Sequence, residues 1–230
     1  MIQKKFLQKK YDKEGLSAAQ IAMELRCSEN KVHYWLNKYQ IKNRSISEAQ
    51  YLKHNPDGDP FVFRNPTNET EWFLYGLGLG LWWGEGNKVS RTAIRLGNTD
   101  PDLLRYFLDF LKVIYRIDES RLRFGLQIFT DINPEAAQKY WSKKLGISQN
   151  KFQKPIVTQS VRIGTYKNKA QYGVLTIYFS NTKIRDTIYG AIEKLRTDTY
   201  ANIAQSVERI HGGSHRSLPT LVVTPEMNPE

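Results

Sequence analysis

The 230-residue sequence holds a single cysteine, Cys27, which excludes an intramolecular disulfide framework and a Cys-rich zinc site and fits a reducing compartment. Its four histidines are scattered, with no His-x-x-x-His or Cys-x-x-Cys spacing, so a transition-metal site is not expected. A hard cation held by carboxylates remains open. No stretch approaches the roughly 18 successive apolar residues of a membrane span, and MIQKKFLQKK is not followed by the apolar run of a secretory signal. The expectation is a soluble, cytoplasmic protein with no membrane partner.

Acidic residues are also in short supply. There are 23 Asp and Glu against 34 Lys and Arg, a formal net charge of +11, and excess positive potential attracts polyanions. Residues 1–54 carry 11 basic and 5 acidic side chains, and residues 71–196 carry 20 and 11. Residues 55–70 and 197–230 are each net acidic, so the positive charge lies on two presumed folded units and not on an arm. Nucleic acid is the expected partner. The boundaries read as 1–45 for a first domain, 46–70 for a linker, 71–196 for a core and 197–230 for a flexible tail. Three of the nine prolines fall in NPDGDPFVFRNPTNET, residues 55–70, where no regular element is expected. Phe61, Val62 and Phe63 within it form an apolar trio expected to dock onto one domain.

Between Lys4 and Gln40 apolar residues recur at helical spacing: Phe6, Leu7 and Tyr11, then Ile21, Ala22 and Leu25, then Val32, Trp35, Leu36 and Tyr39. Ser17 and Gln20 have capping-box spacing, and Ser28 opens the next helix after a tight break at Arg26 and Cys27. Two short helices so joined make a helix-turn-helix, whose second helix enters the major groove. GLSAAQIAMELRCSENKVHYWLNKYQI resembles the helix-turn-helix of resolvase-like and transposase-like proteins. Asn30, Lys31, His33, Tyr34 and Lys38 are the candidate DNA contacts on its second helix, since Asn and Lys reach base edges while Lys and Tyr reach phosphates. The competing reading is a small helical docking module with a wet face. Downstream, Lys42 and Arg44 lie in a weakly structured stretch, with Arg44 a candidate phosphate contact.

EWFLYGLGLGLWWGEGNK, residues 71–88, is the most informative segment. Gly76, Gly80 and Gly84 stand at i, i+4 and i+8, one face of a helix. Each glycine in a helix costs about 0.5–1 kcal/mol relative to alanine, and close approach of a second helix is the natural compensation. Within this segment GLGLWWGEG, residues 78–86, resembles the LAGLIDADG motif of homing endonucleases. Gly80 and Leu81 match its third and fourth letters, Glu85 its last acid and Gly86 its closing glycine. Gly78 replaces the opening Leu, Trp83 the first Asp, and Glu85 carries Glu for Asp.

The resemblance implies an α+β fold: a LAGLIDADG-type mixed αβ core whose curved antiparallel sheet straddles DNA, preceded here by the small all-α helix-turn-helix domain. It also implies a homodimer seamed at Gly76, Gly80 and Gly84, cutting double-stranded DNA at a specific site. Glu85 and Gly84 would hold Mg²⁺, or Mn²⁺ or Ca²⁺, with Lys154 and Asn98 as supporting catalytic residues. A non-cleaving transcription regulator, or an RNA-splicing cofactor (maturase) with RNA as its partner, is the alternative on the same core. A helix-turn-helix recombinase is weaker, because its Ser or Tyr nucleophile signature is absent.

The remaining elements read as a hairpin-like stretch at 87–98, a helix at 101–115, a strand at 121–129, a helix at 134–145 that finds no place in the resemblance, strands near 153–163 and 172–180, and a closing helix at 182–195. RLRFGLQIF alternates strictly, with Arg121, Arg123 and Gln127 on one face and Leu122, Phe124, Leu126 and Ile128 on the other. Arg91, Arg95, Arg121, Arg123, Gln127, Arg162, Lys167 and Lys169 are the candidate DNA contacts of the core. A merely solvated face is the alternative.

Overall fold

The computed structural model describes residues 1–159 and 170–211, with side chains as far as Thr197. The chain divides into two compact units, Met1–Phe63 and Arg64 onward.

In the first unit, α1 (Lys4–Leu7) continues into π-type turns over Gln8–Lys13, followed by α2 (Ala18–Glu24), α3 (Glu29–Lys38) and α4 (Ile46–His54). Leu7, Ile21, Val32 and Leu36 are fully buried at its centre, so the helical spacing of the apolar residues does define one core. Ser17 Oγ accepts from the Gln20 amide at 3.2 Å and Gln20 Oε1 accepts from the Ser17 amide at 2.8 Å, the expected capping box. Between α2 and α3 the chain turns through Arg26 at φ +49°, and the Cys27 amide reaches back to the Ala22 carbonyl at 2.9 Å, closing the end of α2.

Two expectations fail here. The stretch after residue 45 is not weakly structured: α4 starts at a second capping box, Ser45 with Glu48, and residues 46–63 belong to the first unit, not to a linker. Arg44 is not free to track phosphates. Its guanidinium donates to the carbonyls of Tyr11, Gly15 and Leu16 and lies 3.9 Å over the Tyr11 ring, while its amide donates to the Tyr11 hydroxyl. Those donors are spent in holding the chain ahead of α4 against the turn before α2.

The second unit is mixed α+β. Its elements are α5 (Glu69–Glu85), β1 (Ile94–Asn98), α6 (Pro101–Asp109) with π-type turns over Phe110–Ile114, β2 (Arg123–Phe129), α7 (Pro134–Leu145), β3 (Ile156–Thr158), β4 (Val174–Phe179) and α8 (Thr182–His211). Pro101 at the first turn and Asp100 accepting from the Asp102 and Leu103 amides open α6; Pro134 and Asn133 do the same for α7. The sheet order is β1-β4-β2-β3. Side chains at 94, 96, 124, 126, 128, 175, 177 and 179 are buried on one face, where α6 and α5 pack against β1.

The sheet is not wholly antiparallel as expected. β2 and β3 pair in parallel, Gln127 opposite Ile156, while β4 runs antiparallel to both β1 and β2. A parallel neighbour needs a crossover, and α7 is that crossover, anchored by the buried Trp141, whose indole N–H donates to the Tyr172 carbonyl at 2.9 Å. The helix that found no place in the resemblance therefore sets the strand order. The expected hairpin at 87–98 reduces to one bridge, Gly86 opposite Leu96, since β1 takes β4 as its partner. α8 extends to His211, so the flexible tail expected from residue 197 is helical over its first part. Residues 160–163 of the expected third strand lie outside the described residues. No helix among the described residues is long and apolar enough to cross a membrane.

Candidate nucleic-acid interface and carboxylate site

The 17 residues of α5 carry two kinds of glycine. A Cβ on Gly78 would come 2.1 Å from the Phe110 ring, so this position must be glycine for α5 to lie against the turns after α6. At Gly76, Gly80 and Gly84 a Cβ would meet nothing within 4 Å. These three glycines form an outer stripe bordered by Trp72, Phe73 and Trp83, which are 57%, 65% and 46% exposed. Aromatic side chains of this size are seldom left in water as a group.

α5 ends at Glu85, which is exposed and whose carboxylate has no hydrogen bond or ion pair among the described residues. Gly86 follows because a Cβ there would lie 2.3 Å from the Trp82 carbonyl. The loop beyond is held from two sides. The Asn87 amide donates to the Arg95 carbonyl at 2.9 Å, and the Ser90 amide to Asn87 Oδ1 at 3.0 Å. From α8, Arg185 Nε donates to the Ser90 carbonyl at 2.9 Å and the Tyr189 hydroxyl to the Lys88 carbonyl at 3.3 Å. Arg185 itself lies 4.1 Å over the Tyr189 ring, which meets the buried Trp82 edge to face at 4.7 Å. Lys88 Nζ donates back to the Gly84 carbonyl at 3.5 Å.

Of the two supporting residues expected beside Glu85, Asn98 stands two residues past Leu96, the bridge partner of Gly86, and Lys154 lies elsewhere. Asn98 ends β1, and its Oδ1 accepts from the Thr99 and Asp100 amides at 2.8 and 3.0 Å, so that oxygen shapes the turn into α6. Lys154 is exposed just before β3, at the opposite edge of the sheet from β1, about 14 Å away at three strand spacings. Among the described residues no group of three His, Cys, Asp or Glu could enclose a metal ion.

The open face of the sheet carries a cross-strand row, Arg95 opposite Tyr178 opposite Arg123, with the Arg95 guanidinium 5.4 Å from the Tyr178 ring. Arg95 Nε is buried there without a partner among the described residues. Gln127 lies exposed farther along the same face. Arg123 is tethered by its guanidinium to the Ser120 and Leu122 carbonyls. Arg121 departs from the expected strand: it sits in a 3₁₀ turn, Glu119–Arg121, with Nε 3.5 Å from Asp118. Arg91 is exposed on the loop after Glu85, and Arg162, Lys167 and Lys169 lie outside the described residues.

In the first unit, Asn30, Lys31, Tyr34 and Lys38 line the exposed side of α3. Lys38 Nζ lies 4.9 Å from the Trp35 ring. His33 is half-buried, its Nε2 3.5 Å from Glu29 Oε1.

Sequence reasoning missed the clasp on the 87–90 loop and the place of Tyr178 between two arginines. Arg185 and Tyr189, four apart on α8, carried a signal as helix neighbours, but not the identity of what they hold. Comparison with known proteins found no matching family model, no similar curated protein and no similar solved structure.

Proposed function

We propose that this chain is one subunit of a homodimeric, divalent-cation-dependent, site-specific DNA endonuclease of the LAGLIDADG type, with an N-terminal helix-turn-helix reader. The observation that carries the reading is the outer stripe of α5. Three solvent-facing glycines weaken that helix and three exposed aromatics border it, a combination explained by a second copy packing there. Two α5 helices side by side would bring two Glu85 carboxylates near a symmetry axis.

The donor set fits a hard cation as half of a shared site, since one chain offers one unpartnered carboxylate and the adjacent Gly84 carbonyl. A bound Mg²⁺ supplies Lewis-acid polarisation of a phosphate. Arg95 and Gln127 on the open sheet face, with Arg91 on the loop, would hold the duplex backbone and base edges, and the exposed side of α3 would read a separate stretch.

The test is cleavage of a supercoiled plasmid library with randomised inserts. Linear product is expected with Mg²⁺ and the wild-type protein, none with chelator, and none with Glu85→Gln, which keeps DNA binding. Undiminished cutting by Glu85→Gln would remove Glu85 from the chemistry. That no group of three His, Cys, Asp or Glu among the described residues could hold a metal ion favours a second reading, a non-cleaving DNA-binding regulator or RNA-splicing cofactor on the same scaffold. Binding to duplex or structured RNA without any linear product would support it.

A further inference from the structure

We propose that Lys88 is a catalytic residue of this site, its ammonium contacting a non-bridging oxygen of the scissile phosphate beside Glu85; this rests on the nuclease reading above. Lys88 lies on an exposed loop whose backbone is nevertheless hydrogen-bonded from two sides. Tyr189 binds its carbonyl, Arg185 binds the Ser90 carbonyl, and Asn87 is tied to β1 at Arg95. A solvated surface lysine needs no such clasp. Its side chain folds back over the last turn of α5, within 3.5 Å of the Gly84 carbonyl, the residue before Glu85.

Lys88 and Glu85 are not paired with each other, and neither has a carboxylate or ammonium partner among the described residues. A mobile ammonium parked on a weak carbonyl acceptor can be transferred to a phosphate oxygen at little cost, because that bond is long and solvent-exposed. One end of α5 then presents a carboxylate and an ammonium whose backbones are both hydrogen-bonded into the fold.

In the reaction a water oxygen bonds to phosphorus, the bond from phosphorus to the leaving ester oxygen breaks, and a phosphomonoester and an alcohol result. The proton lost by water passes to solvent, and the leaving oxygen takes one from solvent. Lys88 transfers no proton in these steps. It neutralises charge that grows on the non-bridging oxygens as the pentacoordinate state forms, an interaction that strengthens toward the transition state.

The test uses the full-length protein on a plasmid carrying a cleaved site. Lys88→Met should lower kcat by roughly 100-fold with KM within about twofold, as removal of one preorganised donor does, and Lys88→Arg should recover most of the rate. Duplex binding in chelator is read in parallel. The slope of log affinity against log salt should be shallower in Lys88→Met by about 0.9 for each phosphate that the variant no longer neutralises. A Lys88→Met protein that matches wild type in kcat and in salt slope overturns the assignment while leaving the nuclease reading intact. A change confined to KM also overturns it, assigning Lys88 to uniform binding. If wild-type protein with bound DNA cuts nothing in Mg²⁺, the nuclease reading falls, and the catalytic role of Lys88 falls with it.

Discussion

Replacing Gly76, Gly80 and Gly84 together with alanine should move folding and assembly in opposite directions. Nothing within 4 Å would meet the added methyl groups, so the isolated chain accepts them without strain. Each exchange removes about 0.5–1 kcal/mol of helix penalty, so the triple variant gains about 1.5–3 kcal/mol in the monomer. For a unit of this size that is a rise in Tm of about 5–10 °C at concentrations too low for dimers. The same three methyl groups fill the stripe on which a second α5 would lie, so close packing between copies is prevented. Sedimentation velocity should show dimers for the wild type and monomers for the variant. The wild-type Tm should rise with protein concentration, because association stabilises the folded state by mass action, while that of the variant should not. A variant that sediments as a dimer, or a wild type that is monomeric with a concentration-independent Tm, would refute the seam.

Arg44→Ala should destabilise the first unit by about 2 kcal/mol, since charge-assisted bonds to three carbonyls disappear, and Arg44→Lys should not restore it because one ammonium cannot span them. Chemical denaturation of residues 1–63 reads this directly; unchanged stability with weakened DNA binding would return Arg44 to the phosphate role. Glu48 and Glu71 should make the starts of α4 and α5 acid-sensitive. The Ser45 amide holds the Glu48 carboxyl below its usual 4.5, and the Thr67 amide does the same for Glu71. Folded values below the unfolded ones mean that these caps contribute fully above about pH 4.5 and are lost as pH falls through the lower folded values. Glu48→Gln with Glu71→Gln should therefore show a smaller drop in Tm between pH 6 and pH 3 than wild type, and an identical drop would dismiss the caps as its source.

Features decided within a few residues were legible in the sequence alone. Ser17 with Gln20 and Pro101 after Asp100 announce helix starts, because a cap is satisfied by its own next turn. The alternation of Leu122, Phe124, Leu126 and Ile128 with polar neighbours named the buried face of β2, because the pleat has a period of two. The positive charge and the glycine stripe were likewise visible, and with them the carboxylate that ends α5. α4 was overlooked although Ser45 and Glu48 have the same capping spacing as Ser17 and Gln20, because none of its residues is buried and the apolar pattern is thin.

What periodicity cannot supply is a partner. It placed Gly76, Gly80 and Gly84 on one face of α5 without saying that this face would be left in solvent while Phe110 closed on Gly78. It marked β2 and β3 as strands, yet their parallel pairing follows from how α7 crosses over and docks through Trp141. The expected neighbourhood of Glu85 failed at Lys154 for the same reason. Lys154 is near it neither in sequence nor in the fold, and Asn98, brought close by the Gly86–Leu96 bridge, turns its oxygen to the start of the next helix, whereas the clasp around Lys88 is made by Arg185 and Tyr189, about 100 positions downstream. Arg44 looked free because its three acceptors are backbone carbonyls, which every residue possesses and no pattern of side chains marks. Local propensity thus wrote the elements and their faces, and long-range packing chose which faces meet, since contact energy between distant segments depends on a geometry that exists only after the chain has closed.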